Sequence, residues 1–219
     1  MSLAIAIDGP AAAGKGTLAR RLAAEYNLAY LDSGSLYRGT ALTLLRDGLE
    51  SPDESAAVAA AQKLRPELLT DPELRAEATG RLASQVAAIP PVRAALLDWQ
   101  RDFAKHPPAG KQGAVLDGRD IGTVVLPDAM VKLFITASDE ARALRRFKEL
   151  QARGETAIYA RVLEDMRERD ARDTARSTAP MRPAEDALII DTSALDADQV
   201  FRLAKDRTDQ IIRDQIIRN

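Results

Sequence analysis

The sequence lacks cysteine, and its histidine and aromatic residues are scarce. Among its 219 residues there is no cysteine and one histidine, and aromatic residues make up only 4%. Without cysteine, a disulfide framework, thiolate metal ligands and a cysteine nucleophile are all excluded. The scarcity of aromatic rings disfavours the stacking surfaces on which many proteins bind single-stranded nucleic acid. The only histidine, His106, precedes two prolines, and we expect it in a surface loop spanning residues 106–110.

The sequence also lacks a charge imbalance and a long apolar run. Its formal net charge is −2, which gives no indication of a nucleic acid or an anionic membrane as partner. No apolar stretch approaches the roughly 18–20 residues needed to span a bilayer. The first residues, Met1 to Asp8, contain no basic side chain that would suggest a targeting leader. We therefore expect a cytoplasmic protein with one main core and room for a small appended subdomain.

Short apolar runs separated by helical patterns indicate the fold class. Most of these runs are continuously apolar, as expected for strands that are covered on both faces. Strands that alternate with helices predict a doubly wound α/β fold with a parallel sheet. The predicted strands are Leu3–Ile7, Leu28–Leu31, Ala114–Leu116, Val131–Ile135 and Ala187–Ile190.

The stretch between the second and third strands is longer than one crossover needs. Residues 35–105 have a mostly helical pattern, and we interpret them as an inserted substrate-side subdomain. Ser51 to Glu54 predicts a helix start, with Ser51 as N-cap, Pro52 at the first helical position and a capping-box glutamate. Asp71-Pro72-Glu73 predicts another start, and Lys63–Glu77 reads as helix, turn and helix.

A phosphate-binding motif follows the first strand. The pattern G-x-x-x-x-G-K-x-[ST] lies between a predicted strand and a predicted helix over Leu18–Tyr26, which is the context that this motif requires. Its glycines allow several backbone N–H groups to face one anion, and the helix N-terminus adds a partial positive charge. A plain strand-to-helix turn is the less favoured alternative. The predicted phosphate-binding residues are Gly9, Pro10, Ala11, Ala12, Ala13, Gly14, Lys15, Gly16 and Thr17.

Two side chains of this motif have specific predicted roles. Lys15 would reach the β- and γ-phosphates of a nucleotide, and the Thr17 hydroxyl would bind Mg²⁺ or a phosphate oxygen. A P-loop alone does not distinguish a GTPase, an ATPase and a small-molecule kinase. The sequence contains no Asn-Lys-x-Asp segment after a strand, which disfavours a guanine-specific GTPase.

Polar motifs also follow the second and third strands. Asp32 to Arg38 comes after one strand, and Asp117 to Asp120 comes after the next. Ligands of open parallel sheets bind beyond the carboxyl ends of the strands, so both motifs should converge on the P-loop. Asp32 and Asp117 would serve equally well as a helix cap and a turn residue. Arg38 and Arg119 favour binding of an anion.

An arginine-rich segment lies near the C-terminal end of the chain. Residues 142–182 hold ten arginines and one lysine against seven acidic residues. The spacing of Arg169, Asp173 and Arg176 would place them on one helix face, with Arg172 beside them. Such a helix is either a solvated surface with many ion pairs or a lid that brings arginines over a transferring phosphoryl group.

Several long strings together resemble bacterial cytidylate kinases, which are nucleoside monophosphate (NMP) kinases. They are GPAAAGKGT, LDSGSLYR, SQVAAIPPVR, LDGRDIGTVVLPDA and RERDARDTAR, and the similarity extends over nearly the whole chain. The resemblance implies a P-loop NMP kinase fold, with a five-stranded parallel sheet, helices on both faces, an NMP-binding insert and a lid. In a single kinase domain of residues 1–219, it implies a core of 1–34, 106–150 and 184–219, an insert of 35–105 and a lid of 151–183.

The resemblance also implies roles for individual residues. The residues that would read cytosine are Ser33, Arg93 and Asp120, and those that would handle the ribose are Ser84, Arg169 and Asp173. The acceptor phosphate would lie among Arg38, Arg119 and Arg176, and Asp32 and Tyr37 complete the NMP site. For Ser84, a buried helix serine is an equally good interpretation. Lys15, Arg119 and Arg176 are the expected catalytic residues, and Thr17 is the expected metal ligand.

The implied reaction is phosphoryl transfer from ATP, with Mg²⁺, to CMP or dCMP, which yields ADP and CDP or dCDP. We expect a monomer that binds neither nucleic acid nor membrane. The insert between Tyr37 and Ser84 is shorter than in many family members, which carry a small stretch of β-structure there. The alternatives are a P-loop kinase for UMP, another nucleotide or a small molecule, and a nucleotide-binding module that transfers no phosphate.

Overall fold

A parallel sheet forms the centre of the molecule. The computed structural model describes residues 3–51 and 53–218. The strands are β1 Leu3–Asp8, β2 Ala29–Asp32, β3 Gly113–Gly118, β4 Val131–Thr136 and β5 Leu188–Asp191. Their order in the sheet is β2-β3-β1-β4-β5, and each neighbouring pair is parallel. The predicted α/β class and the five predicted strands are therefore confirmed.

Helices connect the strands and also make up the long insert. They are α1 Lys15–Glu25, α2 Ser33–Arg46, α3 Glu54–Gln62, α4 Glu77–Val86, α5 Pro90–Lys105, α6 Asp139–Ala152, α7 Tyr159–Thr174 and α8 Ala197–Arg218. The first of them begins at Lys15 rather than at the predicted Leu18. Helices α2 to α5 lie between β2 and β3, as the helical pattern of that stretch predicted. None of the described helices is long and apolar enough to cross a membrane.

The two faces of the sheet bury different side chains because neighbouring residues of a strand point in opposite directions. On one face, the buried side chains of Ala6 and Leu116 belong to a core cluster shared with α2 to α5. On the other face, Ile5, Ile7 and Val115 belong to a cluster shared with α1 and α8. Helices therefore cover both faces, which confirms this part of the predicted fold. The carboxyl ends of β1, β2 and β3 lie side by side at one edge of the sheet.

The start of α3 differs from the prediction. The N-cap is Asp53, whose Oδ1 accepts hydrogen bonds from the Ala56 backbone N–H at 2.8 Å and from the Ser55 hydroxyl at 2.9 Å. The predicted cap at Ser51 is wrong because the carboxylate of Asp53 already binds the first free N–H groups of the helix. Pro52, predicted at the first helical position, lies outside the described residues.

Helical turns replace β-structure in the middle of the insert. Two short 3₁₀ helices, Pro66–Thr70 and Pro72–Arg75, fill most of the stretch predicted as helix, turn and helix. Asp71 accepts a hydrogen bond from the Glu73 backbone N–H at 2.9 Å, which confirms the predicted helix start there. Within the described part of 37–84 there is no strand, in agreement with the predicted departure from family members that carry one.

Candidate active site

The loop from Gly9 to Gly14 follows β1, and two of its glycines have a clear steric reason. Gly9 has a φ of 137°, and a Cβ atom at this position would lie 1.9 Å from the carbonyl oxygen of Ile135 in β4. Gly14 has a φ of 98° and is the N-cap of α1. Because other residues rarely adopt such angles, glycine is needed at both positions. The motif thus has the strand, tight loop and helix that the sequence predicted.

Side chains outside the loop hold its carbonyl oxygens. Arg142 donates to Ala11 O at 3.3 Å, Arg145 to Ala12 O at 3.5 Å and Thr192 to Ala13 O at 3.0 Å. In a trans peptide the carbonyl and the following N–H point in opposite directions. The N–H groups that follow these carbonyls therefore point away from the three side chains. This arrangement suits the binding of an anion by the loop.

Lys15 lies against the loop at the start of α1. Its Nζ donates to the Pro10 carbonyl oxygen at 2.8 Å, and its side chain is buried. Burial, together with the positive charge of Arg119, lowers the pKa of Lys15 to about 7. A phosphate group beside Nζ would stabilise the ammonium form, because a nearby negative charge raises the pKa of an amine. Arg119, which directly follows β3, is therefore close enough to Lys15 to act on it electrostatically.

The carboxylates of Asp117, Asp32 and Asp8 all lie close enough to Lys15 to raise its pKa. Burial and the negative charge of Asp32 raise the pKa of Asp117 to about 7. Asp32 is the N-cap residue of α2, but within the described residues its side chain makes no capping hydrogen bond to that helix. Thr17 lies in the first turn of α1. Mg²⁺ prefers oxygen ligands and usually retains waters and substrate phosphates, so this donor set fits a magnesium–nucleotide complex.

Asp173 is the centre of an arginine cluster. Its Oδ2 accepts from Arg119 Nε at 2.9 Å, and its Oδ1 accepts from Arg176 Nη2. Burial alone would raise the pKa of Asp173, but the charges of Arg119, Arg176 and Arg169 outweigh this effect and lower it. Arg176 lies beyond the end of α7 at Thr174, so the prediction that it shares a helix face with Arg169 and Asp173 is wrong. The ion pair to Asp173 nevertheless brings it to the same place.

This cluster has more positive charge than Asp173 can neutralise. Burial and the charge of Arg119 lower the pKa of Arg169 to about 10. Among the described residues, Arg169 Nε and Arg176 Nε are buried and have no hydrogen-bond partner. Buried donors without a partner cost free energy, and an anionic ligand would satisfy them.

The predicted base-reading residues form a buried pair next to this cluster. Arg93 Nη2 lies 2.5 Å from Asp120 Oδ2, and their side chains are 9% and 7% exposed. The Arg93 guanidinium also lies over the Tyr37 ring, 5.5 Å from its centroid. Ser33 is adjacent in the fold, but its hydroxyl donates to the Asp117 carbonyl oxygen at 2.7 Å. The structure thus brings Arg93, Asp120 and Tyr37 together and gives Ser33 a backbone partner.

The remaining predicted residues lie on the insert side of the site. Arg38 Nη1 donates to the Leu74 carbonyl oxygen at 2.8 Å. Burial lowers the pKa of Arg38, and Asp32 and Arg119 also influence it. Ser84 is buried in α4, and its hydroxyl accepts from Arg172 Nη1 of α7 at 2.8 Å. Ser84 therefore contacts Arg172 rather than Arg169 or Asp173, and this bond joins the insert to the arginine-rich segment.

The sequence interpretation did not assign roles to four residues that organise the site. Arg142, Arg145 and Thr192 hold the P-loop, and Asp8 binds the segment after β3. Thr192 directly follows β5, where polar residues of a parallel sheet often reach the ligand. Arg142 and Arg145 are three positions apart on α6, and that spacing places them on one helix face. Asp8 directly precedes the motif, and its position after an apolar strand was the available signal.

The fold and the site together define a P-loop kinase. A family model described as cytidylate kinase matches residues 5–209. A cytidylate kinase from Paramagnetospirillum magneticum is 62% identical over 204 residues, which cover 93% of this chain and 96% of that protein. Another from Rhodospirillum rubrum is 57% identical over 202 residues, with 92% and 95% coverage. The chain therefore belongs to the cytidylate kinase family, as the resemblance of its motifs predicted.

Similarity to solved structures supports the fold. An uncharacterized protein from Eubacterium ventriosum has a TM-score of 0.50 and 14% sequence identity, covering 94% of this chain and 98% of that chain. At this identity the likeness concerns the arrangement of strands and helices and carries no information on the substrate.

Proposed function

We propose that this protein transfers the γ-phosphoryl group of ATP to CMP or dCMP, yielding ADP and CDP or dCDP. The observation that carries the proposal is the adjacency of two anion sites. Lys15 and the P-loop form one, and the arginines around Asp173 form the other, with Arg119 influencing the pKa of both Lys15 and Asp173. Family membership favours cytidine nucleotides over the alternative acceptors.

On the donor side, the triphosphate would lie against the N–H groups of the P-loop. Lys15 would bind the β- and γ-phosphates and follow the negative charge as it develops on the transferred group. Thr17, with Asp117 and Asp32 nearby, would hold Mg²⁺, which neutralises phosphate charge when it is bound. The hydrogen bonds to the carbonyl oxygens of Ala11, Ala12 and Ala13 hold the loop in place before the nucleotide binds. The loop therefore needs little reorganisation on binding.

On the acceptor side, the arginines would hold the phosphate of the monophosphate. Arg38, Arg119 and Arg176 would contact its oxygens, and the unpaired Nε donors of Arg169 and Arg176 support binding of a further anion there. The second pKa of a phosphate monoester is about 6, so the acceptor is already largely ionised at neutral pH. No general base is then needed, and catalysis comes from positioning and charge stabilisation.

The base would be read by the Arg93–Asp120 pair. The Asp120 carboxylate would accept from the exocyclic amine of cytosine, and Arg93 would donate to the ring acceptors. UMP carries an oxygen in place of that amine and would face the carboxylate with an acceptor, which disfavours it. Ser33 would assist the base contacts, and Ser84, Arg169 and Asp173 would handle the ribose.

The proposal also covers closure of the site, cellular location and oligomeric state. We propose that the insert of residues 35–105 and the lid of residues 151–183 close over the two nucleotides and exclude water. A cytoplasmic location, a monomeric state and the absence of a nucleic-acid partner stay predictions. The 2.8 Å bond between Arg172 and Ser84 supports the idea that the lid and the insert meet when the site is closed.

A coupled assay of ADP release tests the function directly. With MgATP as donor, we expect turnover with CMP and dCMP to exceed turnover with UMP and AMP. ADP release with none of these acceptors, despite ATP binding, would instead support a nucleotide-binding module. Equal turnover with UMP would show that Asp120 does not read the base.

A substitution of Lys15 tests the mechanism. Lys15→Ala should abolish turnover with an unchanged circular dichroism spectrum, because it removes the ammonium group that would bind the β- and γ-phosphates. Lys63→Ala, which changes an exposed lysine of the insert, is the matched control and should leave the rate unchanged. Near-normal turnover of Lys15→Ala would contradict the proposed role.

A further inference from the structure

Asp8 is a buried carboxylate at the end of β1, directly before the P-loop. Its hydrogen bonds go to a different segment of the chain. Its Oδ1 accepts from the Ile121 backbone N–H at 2.7 Å, and its Oδ2 accepts from the Gly122 backbone N–H at 2.8 Å. The residue is 4% exposed. Both oxygens thus bind the segment that directly follows Arg119 and Asp120. This contact joins the last residue before the donor loop to the residues expected to hold the acceptor.

The segment that receives these bonds has an unusual local structure. Ile121–Val125 is a short π-helical turn, and it begins directly after Asp120. Its first N–H groups have no partner within the turn and need an acceptor from elsewhere. Asp8 supplies that acceptor from the neighbouring strand, where it pairs in register with Gly118 of β3. The backbone from Gly118 to Gly122 is therefore fixed to β1 at both ends.

The fit around the carboxylate is close. A Cβ atom on Gly122 would lie 3.4 Å from Asp8 Oδ2 and 3.3 Å from Lys132 Cδ. The contact with Lys132 would require that side chain to shift slightly, and the contact with Asp8 is at the limit of ordinary van der Waals distance. Ile121, beside Gly122, is fully buried. Neither oxygen of Asp8 is directed at a nucleotide, and its role would be exerted through the backbone of the following segment.

We infer that Asp8 is a positioning residue for the acceptor nucleotide, since it fixes Arg119 and Asp120 relative to the P-loop. The inference rests on the proposed function, because it assigns the acceptor to Arg119 and Asp120. Asp8 ties the acceptor-binding backbone to the strand that leads into the P-loop, and in-line transfer needs donor and acceptor held in a fixed geometry. A displacement of about 1 Å in such a segment can reduce the rate by up to roughly a hundredfold.

Asp8→Asn is the most informative variant. Its amide keeps the size of the side chain, but the NH₂ group would face one of the two backbone N–H donors and could not accept from it. We expect the KM for CMP to rise by about tenfold or more, and the ratio of kcat/KM for CMP to that for UMP to fall. The KM for ATP should stay within about twofold of that of the unaltered protein. The hydrogen bonds from α6 and Thr192 to the P-loop carbonyl oxygens are not changed by this substitution.

A matched control and a milder variant complete the test. Asp196 also accepts from two backbone N–H groups, those of Asp198 at 2.9 Å and Gln199 at 2.8 Å, at the start of α8 and away from the site. Asp196→Asn should leave both KM values and the CMP-to-UMP ratio unchanged. If Asp8→Asn does not fold, Gly122→Ala perturbs the same segment, because its Cβ would lie 3.3 Å from Lys132 Cδ and 3.4 Å from Asp8 Oδ2. Gly122→Ala should also raise the KM for CMP and lower the CMP-to-UMP ratio of kcat/KM, by a smaller factor than Asp8→Asn.

The outcomes separate the inference from the function on which it rests. If the unaltered protein shows no preference for CMP over UMP, the proposed function fails. If it shows that preference, but the variants raise both KM values equally or leave the CMP-to-UMP ratio unchanged, the positioning role of Asp8 is overturned. A selective loss for CMP with normal ATP binding supports the role, since a general loss of folded protein would lower kcat without this selectivity.

Discussion

Replacement of Asp173 by asparagine tests the arginine cluster most severely. The Asp173 side chain is 2% exposed and pairs with Arg119 and Arg176, whose side chains are 16% and 6% exposed. Removal of one partner from a buried ion pair typically costs about 3–5 kcal/mol, because an uncompensated charge stays buried. For a chain of this size, about 1 kcal/mol shifts Tm by roughly 2–4 °C. We therefore expect Asp173→Asn to lower Tm by about 6–20 °C.

Urea unfolding, followed by circular dichroism in a buffer free of phosphate and sulfate, gives the free energy of unfolding. The matched control is Glu77→Gln, which removes the acidic partner of an exposed pair with Arg81 whose side chains are 63% and 68% exposed. That change should cost less than about 1 kcal/mol. Added phosphate should stabilise Asp173→Asn more than the unaltered protein, because its freed guanidinium groups would bind the anion. A loss below about 1 kcal/mol for Asp173→Asn, with no added effect of phosphate, would refute the argument.

Three further predictions follow from the site. Asp120→Asn should lower kcat/KM for CMP by roughly tenfold or more and that for UMP by less, in the ADP-release assay, because Arg93 loses its charged partner. Thr17→Val should raise the Mg²⁺ concentration needed for half-maximal rate, whereas an unchanged requirement would exclude Thr17 as a ligand. Burial raises the pKa of Asp8 from 3.8 to about 6, against the opposing effect of the Gly122 and Ile121 N–H groups, so the folded protein keeps this proton to a higher pH than the unfolded chain does. Its stability contribution is complete below pH 3.8 and is lost as pH rises through about 6, by up to about 3 kcal/mol. Urea unfolding between pH 4 and 7.5 should show this loss, and Asp8→Asn should not.

Much of the fold could be predicted from apolar periodicity and motif context. The five strands are short, mostly continuously apolar and separated by helical patterns, so their positions and their parallel arrangement follow from general rules. The phosphate loop was also predictable, because the required glycines have angles that few other residues adopt. The start of α3 was not predictable, since Ser51 and Asp53 are both good N-cap residues and only the backbone geometry decides between them.

The proximity of the candidate site residues was predictable, and their individual contacts were less so. The motifs after the strands predicted that Arg119, Asp120 and Lys15 would lie near one another, because parallel strands end at one edge of a sheet. The hydrogen bonds from Arg142 to the loop depend on how α6 and α7 pack against Ala11 and Ala12, and no local pattern encodes that packing. The end of α7 before Arg176 likewise depends on tertiary structure, so a spacing that suits a helix was a correct guide to proximity and a wrong guide to secondary structure.

The hydrogen bond between Arg172 and Ser84 has a consequence for the timing of turnover. It joins α7 to α4, and Arg153 Nη1 donates to the Arg75 carbonyl oxygen at 3.4 Å, a second bond between the proposed lid and the insert. Under the proposed closure, a newly formed diphosphate would leave only after such bonds break. Departure of the product, rather than the chemical step, is then expected to limit the cycle, and weakening this bond would shorten the residence of the product.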